Sequence, residues 1–150
     1  MTIIKDNMKV IILAAGMGNR LLHLTSNTPK CKLRVYGKPI IEHQLDVFRS
    51  FGVYDISIVK GFMKEQINYP DTKSYYNDDY KDNNILASLF CAEEELNDDV
   101  LVTYSDVIFD KSIVEKIINA RGDICIAIEE DWLKAYKKIE ETEKVVFNSN

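Results

Sequence analysis

Directly after the apolar run Val10–Leu13 the sequence reads AAGMGNR, and TPK follows at 28–30. Gly16 and Gly18 have no Cβ, so the backbone there can approach an anion closely, and consecutive N–H groups can cup a phosphate. Arg20 would add charge-assisted hydrogen bonds. Lys30, set behind Pro29, would bring a point charge to the same anion. The bare GxG pattern is unspecific. Leu21 stands where a dinucleotide fingerprint needs its third glycine, and the P-loop pattern GxxxxGK[ST] is absent. On pattern alone, a sharp surface turn carrying two solvated cations accounts for these residues equally well. Much further along, Asp106 closes the run VLVTYSD. A carboxylate at the C-terminal edge of a strand lies where open α/β sheets bind ligands. Hard divalent cations take such oxygens while neutralising crowded phosphates. A turn-forming aspartate is the competing reading, and without further information the commoner one. Asp110 reads instead as a helix cap.

Periodicity supplies the elements that would position these groups. KVIILAA (9–15) predicts a buried strand ending in small residues, and 16–31 a loop. KLRVY (32–36) predicts a short strand. A helix follows, with Pro39 at its first position, Ile41, Leu45 and Phe48 on its apolar face, and Gly52 as a left-handed C-terminal cap. Further strands are expected at 54–61, 73–77, 99–106, 123–130 and, more briefly, 144–148. Helices are expected at 84–96, capped by Asn84, and at 110–122, with Asp110 at its positive end. This alternation predicts one three-layer, Rossmann-like α/β domain with a mostly parallel mixed sheet.

The 150 residues are 46% hydrophobic and 29% charged, which permits a real core and excludes wholesale disorder. No apolar run reaches the roughly 18 residues that span a bilayer. No leader pattern is evident, so the cytoplasm is the expected compartment. Cys31, Cys91 and Cys125 are too scattered for a disulfide framework, and with only His23 and His43 no zinc spacing arises. Charge is uneven. Residues 1–50 carry 8 basic and 3 acidic side chains, whereas 51–150 carry 11 basic and 21 acidic ones. A basic first third beside an acidic remainder suits a small phosphorylated ligand better than nucleic acid.

LAAGMGNRL with TSNTPK resembles the N-terminal signature LAAGxGxRLxPLTxxxPK of the nucleoside-diphosphate-sugar pyrophosphorylase-like nucleotidyltransferases. The resemblance implies that the segment Leu13, Ala14, Ala15, Gly16, Gly18 and Asn19 wraps the nucleotide phosphates. It implies that Arg20 and Lys30 contact the reacting phosphates as catalytic residues. His23, where proline is usual, implies an altered loop path. YYNDDYKDNNILASLFCAEEEL and VLVTYSDVIFD are similar to the phosphocholine and phosphonate cytidylyltransferase branch, which carries N-x-x-x-S-L, here Asn84 to Leu89. That branch implies that Asn84 and Ser88 shape the base or acceptor side and that Asp106 holds Mg2+. The activity implied is transfer of CMP from CTP to a small phosphorylated or phosphonylated acceptor, with release of pyrophosphate. A sugar-1-phosphate enzyme using UTP or dTTP is the alternative, and a catalytically incomplete nucleotide-binding remnant a third. Tyr75, Tyr76, Tyr80 and Tyr104 suggest a pocket for a cationic acceptor, with ordinary packing as the competing reading. Glu129, Glu130 and Asp131 match the family's DDW stretch rather than its second metal carboxylate. Residues 1–150 are therefore expected to form a nucleotidyltransferase domain truncated in its acceptor-binding part. The expected partners are CTP and the acceptor, with no nucleic acid and no membrane; a homo-oligomer stays open.

Overall fold

A computed structural model describes residues 8–129. Its sheet contains four parallel strands in the order β5-β4-β1-β6. They are β1 (Lys9–Ala14), β4 (Ile56–Lys60), β5 (Lys73–Tyr76) and β6 (Val100–Tyr104), and α1 (Ile40–Ser50), α2 (Ile85–Phe90) and α3 (Lys111–Ile118) pack against them. A two-stranded hairpin, β2 (Arg34–Val35) with β3 (Lys38–Pro39), precedes α1. β1 is central, pairing Val10 with Ile56 through Ala14 with Lys60 on one side and Lys9 with Val100 through Leu13 with Tyr104 on the other.

Alternation along the strands sorts the core into two sides. Val10, Ile12, Ala14, Ile56 and Ile58 meet Ile41, Leu45 and Phe48 of α1 and Val114 of α3. Ile11, Leu13 and Val59 meet Ala92 and Leu89 on the α2 side. A strand covered on both faces has no solvent side, which is why 10–13 read as an unbroken apolar run. The expected three-layer, parallel α/β arrangement is the one observed.

Several local expectations change. Lys32, expected to start a strand, instead ends the 3-10 turn Lys30–Lys32, and the hairpin's tip is Tyr36-Gly37, both at positive φ (50° and 78°). That backbone matches the primed turns that join two twisted strands. Pro39 is the N-cap of α1 rather than its first residue. The helix expected over 84–96 is α2 followed by a separate 3-10 turn at Glu93–Glu95. Asn84 caps α2 as expected, its Oδ1 accepting from Ala87 N at 3.1 Å, and Asp110 caps α3 through Ser112 N at 2.8 Å. No strand forms over 123–129. Gly122–Ala127 instead face β6 across a groove of about 710 Å³, so no ladder of hydrogen bonds is made, and Ile124 and Ile126 stay exposed. Glu130, Asp131 and the strand expected at 144–148 lie outside the described residues.

A charged hub ties the 3-10 turn after α2 to the sheet. Glu95 is buried and accepts from Lys9 Nζ at 3.0 Å, Lys73 Nζ at 2.8 Å and Tyr75 Oη at 2.7 Å. Burial pushes its carboxyl upward, but the hydrogen bonds from Lys73, Tyr75 and Lys9 outweigh this and hold it at about 2. A depressed carboxylate stabilises the fold fully above its unfolded pKa of about 4.3 and loses that contribution as pH falls toward 2. Glu95→Gln should therefore cost roughly 1.5–3 kcal/mol at pH 7, the usual range for hydrogen bonds to a charged group. The deficit should shrink to roughly half at pH 3. Denaturant titrations of both proteins at the two pH values check this; an equal deficit at both would refute it.

Candidate nucleotide site

The C-terminal ends of the four parallel strands define one edge, and the candidate groups gather along it. Leu13, Ala14 and Ala15 are buried, so their side chains belong to the core. Two of their carbonyls bind neighbouring backbone: Leu13 O accepts from Ser105 N at 3.1 Å, and Ala15 O from Phe62 N at 2.9 Å. The first residue free of the core is Gly16, which is exposed and has open space where a Cβ would stand.

Gly18 turns the loop back. It sits at φ +66°, and a Cβ there would lie 3.2 Å from Thr25 Cγ2 and 3.3 Å from Lys30 Cβ and Cδ. Its carbonyl accepts from the buried Thr25 Oγ1 at 3.0 Å and from Leu21 N at 2.9 Å. Glycine is thus required both for the left-handed backbone and for the close approach to Lys30. Asn19 and Arg20 are exposed at the start of a 3-10 turn, Asn19–Leu24, and the substituted His23 is exposed within it.

Lys30 is placed by its neighbours. Pro29 and Cys31 are buried on either side. Burial pushes the Cys31 thiol up to about 12, so it stays neutral and packs as an apolar anchor. The Lys30 ammonium projects to the strand edge and pairs with the carboxylate of Asp106, 76 residues away. Both side chains are about one third exposed, at 32% and 29%. Lysine and aspartate read separately in the sequence therefore converge beside the glycine loop.

Asn84 and Ser88 are both tied into the structure around α2. Asn84 spends its Oδ1 on the α2 cap. Ser88 is buried, its Oγ accepting from Asn77 Nδ2 at 2.8 Å. Asn77 and Asn83 exchange two further bonds, at 2.8 and 2.9 Å, which close the loop between β5 and α2. The tyrosines do not form one box. Tyr75 and Tyr76 fall on opposite faces of β5. Tyr75 Oη donates to Glu94 and Glu95, Tyr76 lies under Lys64, and Tyr80 packs edge-on to Phe62.

Two contributors escape a reading of the sequence. Gly61 serves there only to end a strand. In the fold a Cβ on it would lie 2.7 Å from Ala15 O and 3.0 Å from Asn77 O. It lets the ends of β1, β4 and β5 meet directly beneath the glycine loop. Asn77 reads in the sequence only as the last residue of the strand expected at 73–77; its burial is the distinguishing feature, and nothing local encodes that.

Asp106 offers oxygen to a hard cation. Among the described residues no three His, Cys, Asp or Glu side chains converge. A lone carboxylate suits Mg2+ in its phosphate-bound form, in which one or two carboxylates accompany substrate oxygens and water.

A parallel α/β sheet with a glycine turn after its central strand and a lysine–aspartate pair at the same edge is an arrangement suited to holding the phosphates of a nucleotide. Residues 10–136 match the MobA-like NTP transferase domain, and the chain belongs to that family. It is 32% identical over 142 residues to the CTP:phosphoglutamine cytidylyltransferase of Campylobacter jejuni, covering 87% of this chain and 56% of that protein. It is 41% identical over 106 residues to the choline-phosphate cytidylyltransferase of Streptococcus pneumoniae, covering 68% and 46%. The solved structure of CTP:phosphocholine cytidylyltransferase from Streptococcus pneumoniae superposes with a TM-score of 0.65 at 38% identity, covering 71% of this chain and 50% of that one. The chain spans about half the length of these relatives. No helix among the described residues is long and apolar enough to cross a membrane.

Proposed function

We propose that this chain carries the nucleotide-binding and catalytic part of a cytidylyltransferase that moves CMP from CTP to a small phosphorylated or phosphonylated acceptor. The observation that carries the reading is the pairing of Lys30 with Asp106 beside the Gly16–Gly18 turn. The preference for CTP is supported by the likeness to cytidylyltransferases at 32% and 41% identity.

An acceptor phosphate or phosphonate oxygen attacks the α-phosphorus of CTP. The bond from that phosphorus to the bridging oxygen breaks, and pyrophosphate leaves with the electron pair. Backbone N–H groups of the Gly16–Gly18 turn hold the β- and γ-phosphates, and Arg20 lies beside the leaving pyrophosphate. Lys30 stabilises charge on the α-phosphate and orients the incoming oxygen. Mg2+, held at Asp106 and by phosphate oxygens, would supply charge neutralisation.

In the resting protein Lys30 and Asp106 neutralise one another. A part-exposed pair of this kind contributes only about 0–1 kcal/mol, so exchanging it for an anion at Lys30 and a cation at Asp106 costs little. The test is pyrophosphate release with each of CTP, UTP, dTTP and ATP, offered with choline phosphate, 2-aminoethylphosphonate and glucose 1-phosphate. Release confined to CTP with the first two acceptors is the expected result. UTP or dTTP turnover with the sugar phosphate would favour the alternative chemistry. CTP binding without turnover on any acceptor would identify a nucleotide-binding remnant.

A further inference from the structure

α1 carries one polar residue on its buried face. Gln44 lies on the helix face shared by Ile41, Leu45 and Phe48 and is 1% exposed. A primary amide placed there is unfavourable unless its donors are satisfied. Its Nε2 donates twice, to Tyr104 O at 2.8 Å and to Val107 O at 2.6 Å. Tyr104 is the last residue of β6, and Val107 follows Asp106. One side chain thus brackets the two-residue step Ser105–Asp106. On the other side the step is fastened to β1, through Ser105 N to Leu13 O at 3.1 Å. The backbone on both sides of Asp106 is therefore fixed by hydrogen bonds, although the residue lies beyond the end of its strand.

We propose that Gln44 is the positioning residue for Asp106, a buried amide that sets the direction of the candidate metal carboxylate by holding the backbone on either side of it. This rests on the reading of Asp106 given under Proposed function and adds how the fold aims that residue. Any buried glutamine must find acceptors for its donors; here both acceptors are carbonyls on the short segment that carries Asp106. Its Oε1 finds no partner among the described residues, so the acceptor half of the amide contributes nothing comparable. Groups that orient a metal ligand typically change metal affinity 10–100-fold when removed.

The test uses the 150-residue chain, titrated with CTP in EDTA and again in Mg2+, as wild type, Gln44→Met and Asp106→Asn. Methionine keeps the length and removes both donors together with the unpartnered acceptor. Val107 is exposed, so its carbonyl can turn to water. Gln44→Met should bind CTP in EDTA within about twofold of wild type but lose about tenfold of the Mg2+-dependent tightening. If wild type tightens with Mg2+, Asp106→Asn does not, and Gln44→Met tightens as wild type does, the role of Gln44 falls and that of Asp106 stands. If wild type itself shows no Mg2+ effect, the Asp106 assignment falls and takes this inference with it. A second measurement covers a variant that does not fold: both side-chain amide protons of Gln44 in the wild-type chain should exchange slowly with solvent. Exchange as fast as that of an exposed glutamine would overturn the proposal.

Discussion

Lys30→Ala should lower the rate of pyrophosphate release from CTP by roughly a hundred- to a thousandfold, the usual loss when a preorganised group facing developing charge is removed. The fold should survive it. Lys30 is held by its neighbours rather than holding them: Pro29 and Cys31 supply the buried contacts, and Lys30 itself is 32% exposed. The carboxylate left behind on Asp106 is also partly exposed and can be hydrated, so thermal stability should change by no more than about 1 kcal/mol. The variant separates two roles that one ion pair joins. With the ammonium gone, nothing competes with a cation for Asp106, so the Mg2+ concentration giving half-maximal CTP binding should not rise. Single-turnover rates and a Mg2+ titration of CTP binding make the comparison. A variant turning over at the wild-type rate would remove Lys30 from catalysis.

The sequence made the central features of the fold visible because they are encoded locally. Strand β1 is covered on both faces, so its residues form a continuous apolar run that no surface element could carry. Gly18 and Gly52 mark backbone at positive φ, which few other residues adopt at low cost. Asn84 and Asp110 cap the helices they precede because a cap needs only a nearby side-chain oxygen. What stayed hidden depends on residues far apart in the chain. Lys30 and Asp106 could be named singly, but their pairing follows from β6 lying beside β1. The segment 123–129 has a strand's composition, yet a strand also needs a neighbour at hydrogen-bonding distance, and there a groove intervenes. Ser88 can be singled out for its hydroxyl, but its hydrogen-bond partner, Asn77, comes from the end of another strand. Gln44 left a signal that could have been used: a long polar residue at the buried phase of an amphipathic helix, which must find hydrogen bonds inside.

Asp106→Asn should affect the same site in the opposite direction. Asparagine keeps the shape but loses the charge, and with it the ability to hold Mg2+ as a carboxylate does. The Mg2+-dependent part of CTP binding should fall by at least tenfold. Without metal the order should reverse. In the wild type the carboxylate occupies Lys30 and repels incoming phosphates, whereas in the variant the Lys30 ammonium is released and the repulsion is gone. CTP should then bind in EDTA at least as tightly as it does to wild type, and more tightly at low ionic strength, where partly exposed charges are least screened. Calorimetric titrations at two salt concentrations, with and without Mg2+, supply all four values. The crossover is the diagnostic result, because a loss of folding or a general loosening of the site would weaken binding under every condition. Metal dependence equal to wild type would show that Asp106 does not hold the cation. Weaker binding in both EDTA and Mg2+ would show instead that the substitution loosens the site as a whole, and would remove the specific metal role.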